Sequence, residues 1–134
     1  MNKTASLEWL RIAFHDLKSA QILYNADHYT DSIGSDLQQS IEKILKSLIA
    51  FENKKIPKSH NLLEIYDYIN DNITISEHEI VFLARATTYL KEDRYPNPNY
   101  CLPAREEIKE VLDFTEELFE KVCSVLEINS IELR

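Results

Sequence analysis

Residues that break a helix are rare in this chain, and their scarcity limits what it can fold into. One glycine and four prolines occur among 134 residues. Turn-rich β folds place many such residues at tight turns, whereas long helices need few breaks. The composition therefore favours an all-α protein. The length fits a single domain that covers residues 1–134.

Apolar residues recur at three- and four-residue intervals in four long segments and one short segment. The helices predicted from this pattern cover about residues 7–25, 31–52, 62–70 and 76–95, and a last helix begins near residue 103 or 104 and runs past residue 126. Ser6 is expected to cap the first helix and Thr30 or Asp31 the second, while residues 76–79 match a capping box for the fourth. Long amphipathic helices joined by short loops predict an up-down four-helix bundle with one additional short helix.

The charge distribution limits the class of partner. The net charge is −8, and residues 61–134 hold 16 acidic against 7 basic side chains. Nonspecific binding to duplex DNA needs a broad cationic face, so duplex DNA is not an expected partner. The sequence contains no apolar run of about 20 residues, so no membrane span is expected. The first residues lack the apolar core of a signal peptide, which predicts a cytoplasmic protein.

Standard cofactor and metal motifs are missing from the sequence. One glycine cannot build a glycine-rich phosphate loop. The two cysteines lie 22 positions apart without companion ligands, and the four histidines lie on separate segments. We therefore expect no metal and no cofactor, and each histidine is most simply a polar residue at the surface or the rim of the core.

Arg94 and Tyr95, directly before Pro96, are the most suggestive functional residues. An arginine side chain matches the geometry of phosphate and keeps its charge, so Arg94 is a candidate phosphate contact. Tyrosine rings can stack on the bases of single-stranded RNA. The alternative is structural: Arg94 pairs with a neighbouring acidic residue and Tyr95 covers the end of the core.

Three further cations are candidates for nucleotide or RNA binding. Lys43 and Lys46 lie on a stripe of the second predicted helix, beside its apolar face. Lys46 also lies four residues after Glu42, in the favourable orientation for an ion pair within a helix. Arg85 is either another phosphate contact or a solvent-facing partner for acidic residues of its own helix.

Several pieces of the sequence, taken in order, resemble the HEPN family of small helical domains. Each piece alone has low specificity, but their combined order and spacing cover nearly the whole chain. They are Trp9, residues 16–20, Tyr29, the Gln-Gln-x-x-Glu-Lys-x-x-Lys stretch at 38–46, the Pro-x-x-His element at 57–60, Tyr89 and residues 94–96.

The resemblance implies a helical bundle that forms a homodimer with a cleft at the dimer interface. Many members of the family are metal-independent ribonucleases, often toxins that are neutralised by a small nucleotidyltransferase partner. The active members use an arginine followed, after about four to six residues, by a histidine, and both subunits contribute this pair. Such a histidine would act as general acid or base, and the arginine would stabilise charge on the phosphate.

This sequence departs from that catalytic pattern. The window after Arg94 covers residues 99–101 and the window after Arg85 covers residues 90–92, and neither contains a histidine. Tyr100 is a poor general base at pH 7 because the pKa of an ordinary tyrosine is about 10. His60 is the remaining acid–base candidate, provided that the fold brings it close to Arg94.

Three functions are consistent with these residues and with what the resemblance implies. The first is a nucleotide- or RNA-binding module that acts with a small nucleotidyltransferase, in a system of the toxin–antitoxin type. The second is a metal-independent endoribonuclease whose acid–base groups come from His60, Tyr100 and Arg94. The third is a purely structural, dimeric interaction bundle. The missing histidine favours the first.

Overall fold

The computed structural model describes residues 1–90 and 101–134, and helices form most of both ranges. No β-strand occurs in these ranges, so the prediction of an all-α protein is confirmed. The helices are α1 (Lys3–Asn25), α2 (Thr30–Phe51), α3 (Leu62–Asp67), α4 (Glu77–Thr87) and α5 (Arg105–Val125), followed by a 3-10 helix at Ser130–Leu133.

The helices form the expected bundle of four longer helices with one short helix. The most extensive contact joins α1 to α2, and α5 packs against both of them. On another side of α2, the short α3 packs with α4. Leu10, Ile41, Leu83 and Phe119 show how α1, α2, α4 and α5 all contribute to one buried core.

The central helix of the bundle is α2, and none of its residues is fully exposed. Neighbouring helices lie on several of its sides, so the polar residues of α2 are buried along with the apolar ones. The buried polar or charged residues of α2 are Gln38, Ser40, Glu42, Lys46 and Ser47. Because buried polar groups need hydrogen-bonding partners, this helix must carry its own polar network.

The first two helices do not begin with the predicted caps. The side chain of Asn2 caps α1 by accepting a hydrogen bond from the amide of Ala5 at 3.0 Å. The prediction of Ser6 as the cap was therefore wrong, and Ser6 is instead buried inside α1. For α2 the capping residue is Tyr29, without a side-chain hydrogen bond.

Thr30 and Asp31, the predicted caps of α2, lie inside the first turn of that helix. The Thr30 hydroxyl donates to the carbonyl oxygen of Pro103 at 2.6 Å, which ties the start of α2 to the segment before α5. This tertiary contact competes with local capping for the hydroxyl, which explains why that prediction was wrong.

The capping box at residues 76–79 is confirmed, but α4 is shorter than predicted. The amides of Thr88 and Tyr89 bond to carbonyl oxygens three residues earlier, which tightens the chain and ends the helix at Thr87. Pro96, where the sequence predicted the end of the helix, lies outside the described residues.

Candidate functional site

A buried polar cluster lies along α2, with the carboxylate of Glu42 at its centre. One turn earlier, Gln38 donates from Nε2 to Oε1 of Glu42 at 3.0 Å. One turn later, Nζ of Lys46 lies 2.9 Å from Oε2 of Glu42. The predicted pair of Glu42 and Lys46 therefore exists, and both side chains are buried. Within the helix, residues four apart share a face, so the spacing of the motif builds this row.

The Glu42 carboxylate is ionised because its hydrogen bonds outweigh its burial. Burial alone would raise its pKa, but hydrogen bonds from Lys46, His60 and Gln38 hold the pKa below the ordinary value. The ammonium group of Lys46 also lies 5.9 Å from the centroid of the Trp9 ring, a long cation–π distance. Removal of either partner of such a buried ion pair strongly destabilises a protein, because the other charge is left buried and unpaired.

His60 joins the cluster from the loop between α2 and α3. Its Nδ1 lies 2.9 Å from Oε1 of Glu42, and 44% of the His60 side-chain surface is exposed. Gln38 also donates to the backbone carbonyl oxygen of His60 at 3.1 Å. Since an ionised carboxylate only accepts hydrogen bonds, we assign a proton to Nδ1 of His60. The ring therefore has one defined tautomer when it is neutral.

The residues on either side of His60 are also anchored. The Ser59 hydroxyl donates to Glu64 at 2.7 Å, and Asn61 caps α3. The amide of Leu62 donates to Oγ1 of Thr87 at 3.1 Å, which joins this loop to the end of α4. The position of His60 is thus set by α2, α3 and α4 together.

The other predicted cations on α2 and α4 point to different parts of the fold. Nζ of Lys43 lies 2.6 Å from the carboxylate of Asp16 on α1. The guanidinium group of Arg85 lies 3.9 Å from both Glu107 and Glu110 on α5. The structure therefore brings Lys46 together with His60 through Glu42, but it does not bring Lys43 or Arg85 into that cluster.

The end of α4 is held between α2 and α5 by Tyr89. Its hydroxyl group donates to the carboxylate of Glu107, and its ring packs against Gly34 of α2. Burial, and then the hydrogen bond to Glu107, raise the pKa of the Tyr89 phenol well above its usual range. Tyr89 therefore remains protonated, and its hydroxyl group joins the end of α4 to α5.

The remaining predicted site residues cannot be placed. Arg94, Tyr95 and Tyr100 lie outside the described residues. Their roles as phosphate contact, cleft residue and acid–base candidate remain predictions. In the part of the chain that is described, no group of three or more His, Cys, Asp or Glu side chains is arranged to hold a metal ion. Among the helices of the same part, none combines the length and the apolar character that a membrane span requires.

Sequence reasoning missed the role of Glu42 and Gln38 in orienting His60. The spacing of Glu42 and Lys46 indicated an ion pair within one helix, and the histidine of the Pro-x-x-His element was noted separately. Nothing in the spacing linked the two, because His60 lies 18 residues beyond Glu42 and reaches it only after the loop folds back.

The described residues thus form a small all-α domain. Its buried polar cluster consists of Gln38, Glu42 and Lys46, with His60 bonded to Glu42. The model of the HEPN domain family matches residues 6–127. The chain belongs to the HEPN domain family, as the sequence motifs predicted.

A solved structure supports the fold. The crystal structure of TT1696 from Thermus thermophilus is similar to this chain with a TM-score of 0.76 and 23% sequence identity. The alignment covers 93% of this chain and 99% of TT1696. At this identity the likeness establishes a common fold alone. No curated protein matches the chain in sequence.

Proposed function

We propose that the chain is a HEPN module that binds a nucleotide or single-stranded RNA and acts with a small nucleotidyltransferase partner. The family match over residues 6–127 is the observation that carries this proposal. Without a histidine at the expected distance after Arg94 or Arg85, binding requires fewer assumptions than cleavage. A toxin–antitoxin type of system and a homodimer with its cleft at the interface are parts of the same proposal.

Arg94 is the proposed phosphate contact, and Tyr95 is proposed to shape the cleft beside it. A guanidinium group forms two parallel hydrogen bonds with phosphate oxygens, and its charge does not vary with pH. Lys43 and Lys46 already hold carboxylates, so we assign them a supporting electrostatic role. Arg85 has two more distant acidic neighbours, and it is proposed as a secondary cation.

Replacing Arg94 tests the proposal. Loss of a charge-assisted hydrogen bond costs about 1.5–3 kcal/mol, so Arg94→Ala is expected to weaken binding by about tenfold or more. Fluorescence anisotropy with labelled single-stranded RNA, together with calorimetry with ATP, measures the two ligand classes separately. The matched control is Arg11→Ala, because Arg11 is exposed on α1 and its replacement removes the same charge.

The outcome that contradicts the proposal is specific. If Arg94→Ala is folded by circular dichroism and binds both ligands as tightly as the wild type, Arg94 is not the phosphate contact. If the wild type binds neither ligand at millimolar concentration, the structural dimer becomes the better hypothesis. Co-purification with the product of a neighbouring nucleotidyltransferase reading frame tests the partner independently.

The contact between Glu42 and His60 favours a second candidate function, a metal-independent endoribonuclease. A neutral histidine with its proton on Nδ1 has an acceptor at Nε2, which is the form that a general base requires. Cleavage of single-stranded RNA in EDTA, abolished by both His60→Gln and Arg94→Ala, is the expected result for this function. Intact RNA after prolonged incubation with concentrated wild-type protein would exclude it.

A further inference from the structure

We propose that the groove between α4 and α5 docks an arginine-bearing segment of a partner protein. The groove has a volume of about 390 Å³, which suits inserted side chains rather than a folded domain. Phe82 of α4 and Phe114 of α5 line it together with carboxylates of α5, namely Glu110, Asp113 and Glu117. This inference goes beyond the proposed function and does not depend on it.

The floor of the groove is aromatic. The rings of Phe82, which is half-buried, and Phe114, which is buried, have centroids 5.2 Å apart. His78, one turn before Phe82, meets that ring edge to face with centroids 6.0 Å apart. The face of a phenyl ring attracts a cation and also packs against the apolar stem of a long side chain. The floor therefore suits an arginine better than it suits an aliphatic or an acidic residue.

Two exposed carboxylates on the rim, Asp113 and Glu117, lie four residues apart on one face of α5. Lys109 occupies Asp113, with Nζ 2.6 Å from the carboxylate. Lys121 has the same spacing from Glu117, but it donates to the carbonyl oxygen of Thr74 at 2.5 Å instead. Glu117 consequently has no hydrogen bond or ion pair from its side chain within residues 1–90 and 101–134. A cation from another molecule can therefore pair with Glu117 without displacing an internal partner.

The chain's own Arg85 shows how an arginine can be held here. Its guanidinium carbon lies 5.9 Å from the centroid of Phe82, and its guanidinium group lies 3.9 Å from Glu110. At that end of the groove, an arginine thus combines a phenyl ring of α4 with a carboxylate of α5. The end near Asp113 and Glu117 offers the same two groups, but its lining in the described part of the chain includes no arginine. Arginine is favoured over lysine because its planar group both stacks on rings and pairs with carboxylates.

Charge complementarity selects a basic protein segment as the occupant. The net charge is −8, and residues 61–134, which include α4 and α5, hold 16 acidic against 7 basic side chains. Such a surface attracts cationic segments during encounter and repels the phosphates of nucleotides and RNA. The groove is therefore a surface for a protein partner, separate from any phosphate site.

Binding of a defined peptide to the full chain tests the proposal. The probe is a short fluorescent peptide in which arginine alternates with serine, and binding is followed by fluorescence anisotropy. Glu117→Gln removes the unpaired carboxylate, and Phe82→Leu removes the ring face but keeps apolar bulk. Each is expected to weaken binding by about threefold, and binding should fall as salt is added. Glu8→Gln is the matched control, because Glu8 is exposed on α1, and it should bind as the wild type does.

A second peptide and a measurement on the wild type separate recognition from bulk charge. The same peptide with lysine in place of arginine should bind more weakly, and Phe82→Leu should affect it less. In the unmodified protein, the arginine peptide should shift the backbone amide resonances of α4 and α5 around the groove but not those of Glu8. Equal effects of Glu117→Gln and Glu8→Gln would overturn the proposal, since binding would then depend on net charge alone.

The remaining outcomes are also decisive. The proposal is wrong if the wild type does not bind the arginine peptide at low salt, or if spermidine shifts the groove resonances and the peptide does not. Displacement of the peptide by excess unlabelled chain would make the occupant a second copy rather than a partner. Glu117→Gln should leave RNA affinity at least as high as in the wild type. Absence of RNA binding with intact peptide binding would contradict the proposed function alone.

Discussion

Tyr89 packs so closely on Gly34 that a β-carbon added to the glycine would lie 2.9 Å from Cγ of the tyrosine. The only glycine of the chain is therefore a point of close helix contact within α2, where glycine normally weakens a helix. This contact holds the end of α4 against α2 one turn before Gln38.

The first prediction is that Gly34→Ala destabilises the protein. In an ordinary helix interior, this change stabilises by up to about 1 kcal/mol. Here the new methyl group must displace the Tyr89 ring, and we expect a net loss of about 1–3 kcal/mol. Urea denaturation measures the change. In a Tyr89→Ala background the clash with Cγ is removed and only the 3.2 Å contact with Cβ remains, so adding Gly34→Ala should then cost less than in the wild type.

The second prediction concerns the buried ion pair. Glu42→Ala leaves the buried Lys46 ammonium group unpaired, and we expect a loss of about 3–5 kcal/mol in the free energy of unfolding. Lys109 and Asp113 form an exposed pair with the same spacing on α5. Asp113→Ala should cost only about 0.3–0.5 kcal/mol. Equal losses in the two variants would show that burial of the first pair has no energetic consequence.

The third prediction follows from the lowered pKa of Glu42. A carboxylate whose pKa is lower in the folded state stabilises the protein at pH values above its unfolded pKa, about 4.5. This contribution is lost as the pH falls through the pKa of the folded state. Wild-type protein should therefore lose more stability between pH 6 and pH 3 than Glu42→Gln, which does not titrate. Thermal unfolding across this range measures the difference. Glu117→Gln, an exposed change on α5, should follow the wild type.

The fourth prediction uses the two free cysteines. Burial, with a smaller effect of Glu120, raises the pKa of the Cys123 thiol to about 11, whereas Cys101 is exposed. A maleimide reagent at pH 7 should modify one thiol in the folded protein and both in guanidinium chloride. Folded Cys101→Ser should remain unmodified. Rapid labelling of that variant would mean that the end of α5 opens readily.

Local sequence patterns predicted the parts of the fold that depend on neighbouring residues. The capping box at residues 76–79 needs only one helical turn, and it is present as expected. The ion pair between Glu42 and Lys46 likewise depends on spacing along one helix. Helical periodicity also predicted the four longer helices and the short α3, because an apolar stripe must be buried by another element.

Predictions failed where two local solutions were available and a distant contact selected one of them. Asn2 and Ser6 are both suitable caps, but the amide of Asn2 donates to the carbonyl oxygen of Phe51 at 2.7 Å, which places Asn2 at the start of α1. Thr30 was a suitable cap as well, yet its hydroxyl bonds to the carbonyl of Pro103. In each case the hydrogen-bonding partner is remote in sequence, so a local sequence pattern cannot predict it.

The sequence by itself determined the helices and placed Glu42 and Lys46 on one helical face, because helix geometry is set within a few residues. Only the tertiary structure decided that this face is interior and that His60 completes it. Burial depends on how α1, α3, α4 and α5 surround α2, and the His60 contact depends on how the loop after α2 closes. The buried row of Gln38, Glu42 and Lys46 therefore orients His60, and it is not a solvent-facing row of charges.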